Sequence, residues 1–247
     1  MKFLRMATLP LALTLITSVA EAQITRFYAE DNNGSESTRA TNVNSSAKQS
    51  QFLSSLVGAG TETFESRSGG SPLALTFPGA GTATLNGTGG VASVGSGTNG
   101  FGRYPTSGSR YWEATLSRSG NFTVNFDQYV AAFGFYAMDL GDFGSNLTLQ
   151  FFNNGNLIDS WNPYATNFGS CPNLYCGSIK YIGTINTQTF NEVRFIGSSG
   201  DDVFAFDDMT VGSLEQVQVP EPASFALVAA GLAGLGVVAR RRKNTTV

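Results

Sequence analysis

The run Val130–Met138 (VAAFGFYAM) carries no charged side chain and is apolar at both odd and even positions. Successive residues of an extended chain face opposite sides. A strand of this kind therefore belongs in the middle of a sheet that is covered on both faces. Around it lie shorter extended segments. Phe122–Phe126 alternates, with Phe122, Val124 and Phe126 on one side. Leu73–Phe77 stops at Pro78-Gly79, and Thr82–Leu85 stops at Asn86-Gly87, a hairpin signal. Leu147, Leu149 and Phe151 mark a strand that turns at Asn154-Gly155 into Leu157–Trp161. Ile179–Ile185, Val193–Ile196 and Val203–Val211 complete the set, with an opening strand near Ile24–Tyr28.

Only 13% of residues are charged and 29 are glycine, a composition suited to turns and short strands rather than long charged helices. Phe52, Leu53, Leu56 and Val57 fall at helical spacing within Ser46–Val57, ahead of Gly58, and predict one short helix packed on the sheet. Gly87–Gly102 is rich in Gly, Ser and Thr and reads as a long flexible connection. The pattern predicts an all-β fold, a β-sandwich of jelly-roll-like type with one short helix. It occupies residues 23–215, between a signal helix in 1–22 and a tail in 216–247 that holds a transmembrane helix.

Both ends bear on destination. Lys2 and Arg5 precede an apolar stretch, Leu9–Ala20, and then Ala20-Glu21-Ala22, a small-x-small cleavage pattern that leaves Gln23 as the mature N-terminus. An uncleaved anchor is the competing reading; the shortness of the run and its cleavage pattern weigh against it. At the other end Val219, Pro220, Glu221 and Pro222 precede an uncharged apolar segment, 223–239, followed by Arg240, Arg241, Arg242 and Lys243. The segment is near the lower limit for a membrane span, about 17 residues. The basic cluster is expected to stay cytoplasmic, placing everything before Val219 across the membrane. The prolines keep the preceding peptide extended.

This order of motif, apolar span and basic stop resembles the PEP-CTERM sorting signal. The resemblance implies handling by an exosortase, a membrane-embedded transpeptidase-like enzyme of Gram-negative bacteria that make exopolysaccharide. It implies a precursor held in the membrane by the tail and a product at the cell surface or in the matrix. An ordinary C-terminal anchor is the alternative, but a plain anchor needs no such motif. The segments Thr61–Glu65, Phe77–Gly79, Gly102–Pro105, Ala132–Tyr136 with Asp139 and Gly141-Asp142, and Phe206–Asp208 are similar to landmarks of a recurring type of body found with this signal.

The chain has no histidine, which excludes Ser-His-Asp and Cys-His catalysis and histidine metal ligation. Its net charge is −3, with much of the positive charge in the tail, and nucleic acid is not an expected partner. Cys171 and Cys176 are its two cysteines; in an oxidising compartment they are expected to close a small disulfide loop. A metal pair is the weaker alternative.

Three carboxylate groups, Asp139 with Asp142, Asp201 with Asp202, and Asp207 with Asp208, could supply the hard oxygen ligands that calcium prefers; the competing reading is turn aspartates bonding local amides. No cofactor is required, and calcium is the one the composition admits. In a regular strand Asp208 would share a side with Phe204 and Phe206, an unfavourable burial of charge that a cation, an arginine such as Arg194, or a bulge would relieve. Arg103, Tyr104, Tyr111 and Trp112 could stack on and bond a glycan, or fill the edge of the sandwich. Glu62 with Glu65, or Asp139 with Asp142, could be posed as a glycosidase pair, although each has a simpler surface reading. The sequence favours a non-catalytic protein, with a calcium-assisted glycan-binding module as its chief rival.

Overall fold

The structure, a computed structural model, describes residues 23–141, 145–163, 177–198 and 202–218. The signal segment with Ala20 and Ala22, the cysteine loop, Asp142, Asp201 and the tail from Val219 lie outside the described residues.

The chain is all-β. Eleven strands run in the order β1 (Ile24–Asp31), β2 (Gly60–Glu62), β3 (Leu73–Phe77), β4 (Gly81–Asn86), β5 (Gly89–Ser93), β6 (Arg110–Leu116), β7 (Phe122–Met138), β8 (Leu147–Asn153), β9 (Asn156–Trp161), β10 (Ile179–Gly197) and β11 (Asp202–Gly212). One α-helix, α1 (Val43–Leu53), follows β1. Every strand pair is antiparallel.

The sandwich is made by bending. Phe122–Phe126 and Val130–Met138 are two halves of β7, and Ile179–Ile185 and Val193–Ile196 are two halves of β10. The first half of β7 pairs with β4, whereas the second pairs with β10 and β11. The first half of β10 pairs with β1 and β7, and the second with β8. One continuous sheet thus folds over itself. Between the layers lies a core of Trp112, Phe122, Phe133, Phe135, Phe195 and Phe206 among others, with ring pairs such as Phe135–Phe206 stacked at 4.7 Å. The corners, Asp127–Tyr129 in β7 and the stretch around Gln188 in β10, are where exposed residues interrupt the apolar pattern.

Asn86-Gly87 does not form a β4–β5 hairpin. β4 pairs with β3 and β7, and β5 pairs with β6, so the turn carries the chain from one layer to the other. Part of the glycine-rich connection is itself a strand, β5, laid against β6. Asn154-Gly155 is the hairpin expected, joining β8 to β9 with φ of 48° and 78°, the positive values of a primed turn.

A second apolar cluster covers the outer face of the β1–β10–β7–β11 layer, which explains why Val130–Met138 is apolar on both sides. α1 supplies Phe52, fully buried. It rests over Gly134 and Gly183, which face each other across β7 and β10. A Cβ on Gly183 would lie 3.1 Å from Phe52 Cδ2, and one on Gly134 3.0 Å from Phe52 Cε1, so the two glycines form the seat for this ring. The helix begins earlier than the spacing predicts because Asp31 of β1 accepts from the amides of Asn44 and Ser45, at 3.1 and 2.9 Å, and favours the helix N-terminus. It ends earlier because Leu56 leaves to bridge Val217. Val57, expected to pack, is exposed.

Candidate functional site

Two groups of buried charge flank this layer: Lys180 and Glu30 share the side of Ile182 and Tyr28, toward the sandwich core, and Asp207 shares the outer side with Ala205. The first gathers where β1, β7 and β10 end together. Lys180 is 1% exposed and stands opposite Glu30 in the β1–β10 register. Its Nζ lies 2.9 Å from Glu30 Oε1 and donates to Ser178 Oγ. Burial pushes the Lys180 ammonium down, while Glu30, Asp202 and Asp139 hold it up. Asp139, fully buried with φ +61°, takes an ion pair from Arg103 Nη1 at 3.2 Å, and its amide donates to Ser178 O. Asp202 accepts from the Gly141 amide at 2.9 Å. Arg103 also meets Glu113 at 3.0 Å and the Val203 carbonyl at 3.2 Å. Gly102 permits this approach: a Cβ there would come within 2.6 Å of Asp139 Oδ1.

The second group is made by β11. Its register against β7 shifts between Asp207 and Thr210, and Asp208 adopts φ +48°. The resulting bulge resolves the conflict that a regular strand would create. Phe206 and Met209 point into the sandwich core, and Asp208 is the extra residue between them. Neither a cation nor Arg194, which pairs with Glu192, is needed for that purpose. Thr106 joins the two carboxylates: its amide and hydroxyl donate to Asp207 Oδ2 at 2.8 and 2.7 Å, and the same hydroxyl lies 2.9 Å from Asp208 Oδ2. Asp207 is fully buried, and its Oδ1 has no hydrogen-bond partner among the described residues. Burial, then the neighbouring Asp208, pushes the Asp207 carboxyl up to about 8; Asp208 is raised as well, chiefly by burial. Tyr136 and Tyr181 adjoin the pair, and burial followed by nearby negative charge raises both phenols. Tyr136 donates to Gln49 of α1 at 3.1 Å.

The carboxylates proposed for calcium thus divide. Asp139 and Asp202 share the Lys180 group, where the lysine and Arg103 already supply positive charge. Asp207 and Asp208 form the separate pair, with no lysine or arginine bridged to it among the described residues. Among the described residues no set of three or more acidic or cysteine side chains is gathered as a metal would need.

Three of the four residues considered for a glycan are buried. Tyr104, Tyr111 and Trp112 are only 2%, 1% and 0% exposed and pack against protein. Tyr104 accepts from the Ala40 amide at 2.9 Å, and burial pushes its phenol up to about 12. Glu62 binds Arg67 at 2.7 Å and the Phe64 amide at 2.8 Å. Glu65 accepts from the amides of Ser109 and Arg110 at 2.8 and 2.6 Å. Glu30, Lys180 and Thr106 escaped sequence reasoning. A lone lysine inside the apolar run Ile179–Ile182 was the available signal; its partner is named only by strand register.

At the base of the body the chain leaves through a short 3-10 turn, Leu214–Gln216. The Val57 amide donates to Gln216 O at 2.8 Å, and the Gln218 amide to Ser55 O at 2.9 Å. Hydrogen bonding of the body therefore continues to Gln218, beyond the expected boundary at 215. The fold and this exit define an all-β domain carried directly ahead of a C-terminal segment. That segment is a PEP-CTERM protein-sorting motif, matched over residues 218–243. The chain is accordingly an exported, exosortase-sorted protein with a membrane-anchored precursor. No curated protein matches it.

Proposed function

We propose that the protein is a non-catalytic component of the cell surface or exopolysaccharide matrix of a Gram-negative bacterium, with the β-sandwich as cargo and the tail as address. One positional observation carries this reading: the sorting motif begins at Gln218, the last described residue bonded into the body. In this reading signal peptidase cuts after Ala22. Pro220, Glu221 and Pro222 present an extended peptide to the exosortase, the apolar segment 223–239 holds that peptide at the membrane, and Arg240–Lys243 stay on the cytoplasmic side. The use of Glu62, Glu65 and Asp139 in local hydrogen bonds and ion pairs supports a structural rather than catalytic role for them. Replacing Glu221 by Ala and following the protein by cell fractionation tests the assignment. The expected result is accumulation of unprocessed precursor in the membrane; unchanged processing and destination would count against it.

A second reading, calcium held at Asp207 and Asp208, is favoured by the unbonded Asp207 Oδ1 beside a second carboxylate. In that reading calcium displaces the proton of the raised Asp207 carboxyl and steadies the Thr106 loop. Millimolar calcium then raises the melting temperature of the native protein but not of Asp208→Asn. Equal response of the two proteins, or none in either, would remove this reading.

A further inference from the structure

The described residues expose seven large apolar side chains, and they are not scattered evenly. Val43 and Phe101 lie toward the end of the sheet that holds Asp31 and Asp139, and Leu157 lies on the β9 edge. The remaining four, Ile24, Val57, Tyr129 and Leu214, are 43%, 59%, 48% and 43% exposed and belong to the opposite end. Their connections place them there together. Ile24 pairs with Asn186, and the Gln23 amide donates to Thr187 Oγ1. Val57 bonds Gln216, next to Leu214. Ala132, three residues after Tyr129, pairs with both Ile185 and Gly212, so Tyr129 lies at the same end as Thr187 and Leu214. A hollow lined by Phe27, Ile185 and Val217 opens between Gln23 and Gln218.

This is also the end from which the chain departs. Gln218 is bonded to Ser55, and only Val219–Pro222 separates it from the apolar segment. Four residues reach at most about 14 Å even when fully extended. A body held on so short a tether must turn this end toward the lipid. Charges at this end are few and mostly engaged: Asp127 accepts from the Thr82 amide at 2.7 Å, Glu192 is paired with Arg194, and Glu215 follows Leu214. Exposed aliphatic groups, a tyrosine and neutral amides are the composition that settles at the boundary of a bilayer.

We propose that the end bearing Ile24, Val57, Tyr129 and Leu214 rests on the outer surface of the lipid bilayer that holds the precursor's tail. The seating keeps the body upright over its tether. The proposal rests on the sorting-tail reading, and it names the lipid interface, rather than a second copy of the chain, as the occupant of this face.

The test reconstitutes the full-length precursor in phosphatidylethanolamine–phosphatidylglycerol vesicles whose lipids carry bromine near the headgroup. Tyr129→Trp and Phe101→Trp place reporters at the two ends, about 26 Å apart along the second half of β7. Val57→Trp serves as a second reporter at the base. After subtraction of the native tryptophan signal, brominated lipid should quench the Tyr129→Trp and Val57→Trp reporters at least twofold more than the one at 101. Equal quenching at both ends would overturn the proposal. So would protection of both base reporters that is independent of the lipid, the sign of a second copy covering the face. Failure of the precursor to float with the vesicles would instead overturn the anchored tail, and this surface with it.

Discussion

Replacing Phe52 by Ala removes a fully buried ring from its seat over Gly134 and Gly183. Loss of transfer energy together with the cavity left behind costs about 3–5 kcal/mol for a buried Phe. At about 2–4 °C per kcal/mol for a domain of this size, the melting temperature falls by roughly 10 °C. Cost alone does not prove the seat, so the decisive variant is Gly183→Ala. Its new Cβ would meet Phe52 Cδ2 at 3.1 Å, Tyr181 Cε1 at 3.2 Å and Phe52 Cγ at 3.4 Å. Such crowding in a packed site costs about 1–3 kcal/mol. Two of the three contacts belong to Phe52, so in the Phe52→Ala background the same methyl enters vacated space. It also replaces a strand glycine, whose flexibility in the unfolded chain opposes folding. Urea unfolding of the four proteins in this cycle should therefore give a coupling of about 1 kcal/mol or more in favour of the double variant. Additivity within about 0.5 kcal/mol, or a Phe52→Ala cost below about 1 kcal/mol, would refute the docking of α1 through this ring.

Other outcomes follow from the buried charges. The Asp207 carboxyl is raised from 3.8 to about 8, so its contribution to stability is full below pH 3.8, declines as pH rises toward 8 and levels off above it. Asp207→Asn should flatten that decline in urea midpoints taken from pH 4 to 9; an unchanged slope would reject the assignment. Lys180→Met leaves Glu30 buried without its cation and should cost about 3–5 kcal/mol in thermal unfolding. Adding Glu30→Gln should recover much of that loss, whereas a double variant no better than the single one would show that the pair is not what matters. Arg103→Lys keeps the charge but cannot reach Glu113, Asp139 and the Val203 carbonyl together as the guanidinium fork does. It should lower the melting temperature by a few degrees, and an unchanged melting curve would deny Arg103 a bridging role.

The strands were legible because their information is local. The alternation in Phe122–Phe126 and the uninterrupted run Val130–Met138 each report which faces are covered. Their continuity was not legible, because polar, exposed Asp127 and Gln128 look like a loop when they are a corner. Asn86-Gly87 has hairpin chemistry, yet its strand partners are chosen by distant sequence, and β5 pairs with β6. The Asp207-Asp208 conflict could be read in the strand pattern, and a bulge was among its foreseeable solutions. Thr106, which ties the pair together, could not be read, since nothing in its neighbourhood points to β11. Burial of Tyr111 reflects the second cover over the layer, where Tyr104 and Val94 of the chain between β5 and β6 also pack, whereas neighbouring Trp112 faces the sandwich core. A single strand's pattern does not disclose that cover.

Intact mass of the protein from the membrane and extracellular fractions of a native host tests the central claim most directly. The account predicts a membrane precursor beginning at Gln23 and retaining its tail, with a mature form that lacks the segment following the Val219–Pro222 region. Retention of the complete tail in every fraction would contradict exosortase processing and leave a β-sandwich held by an ordinary membrane anchor.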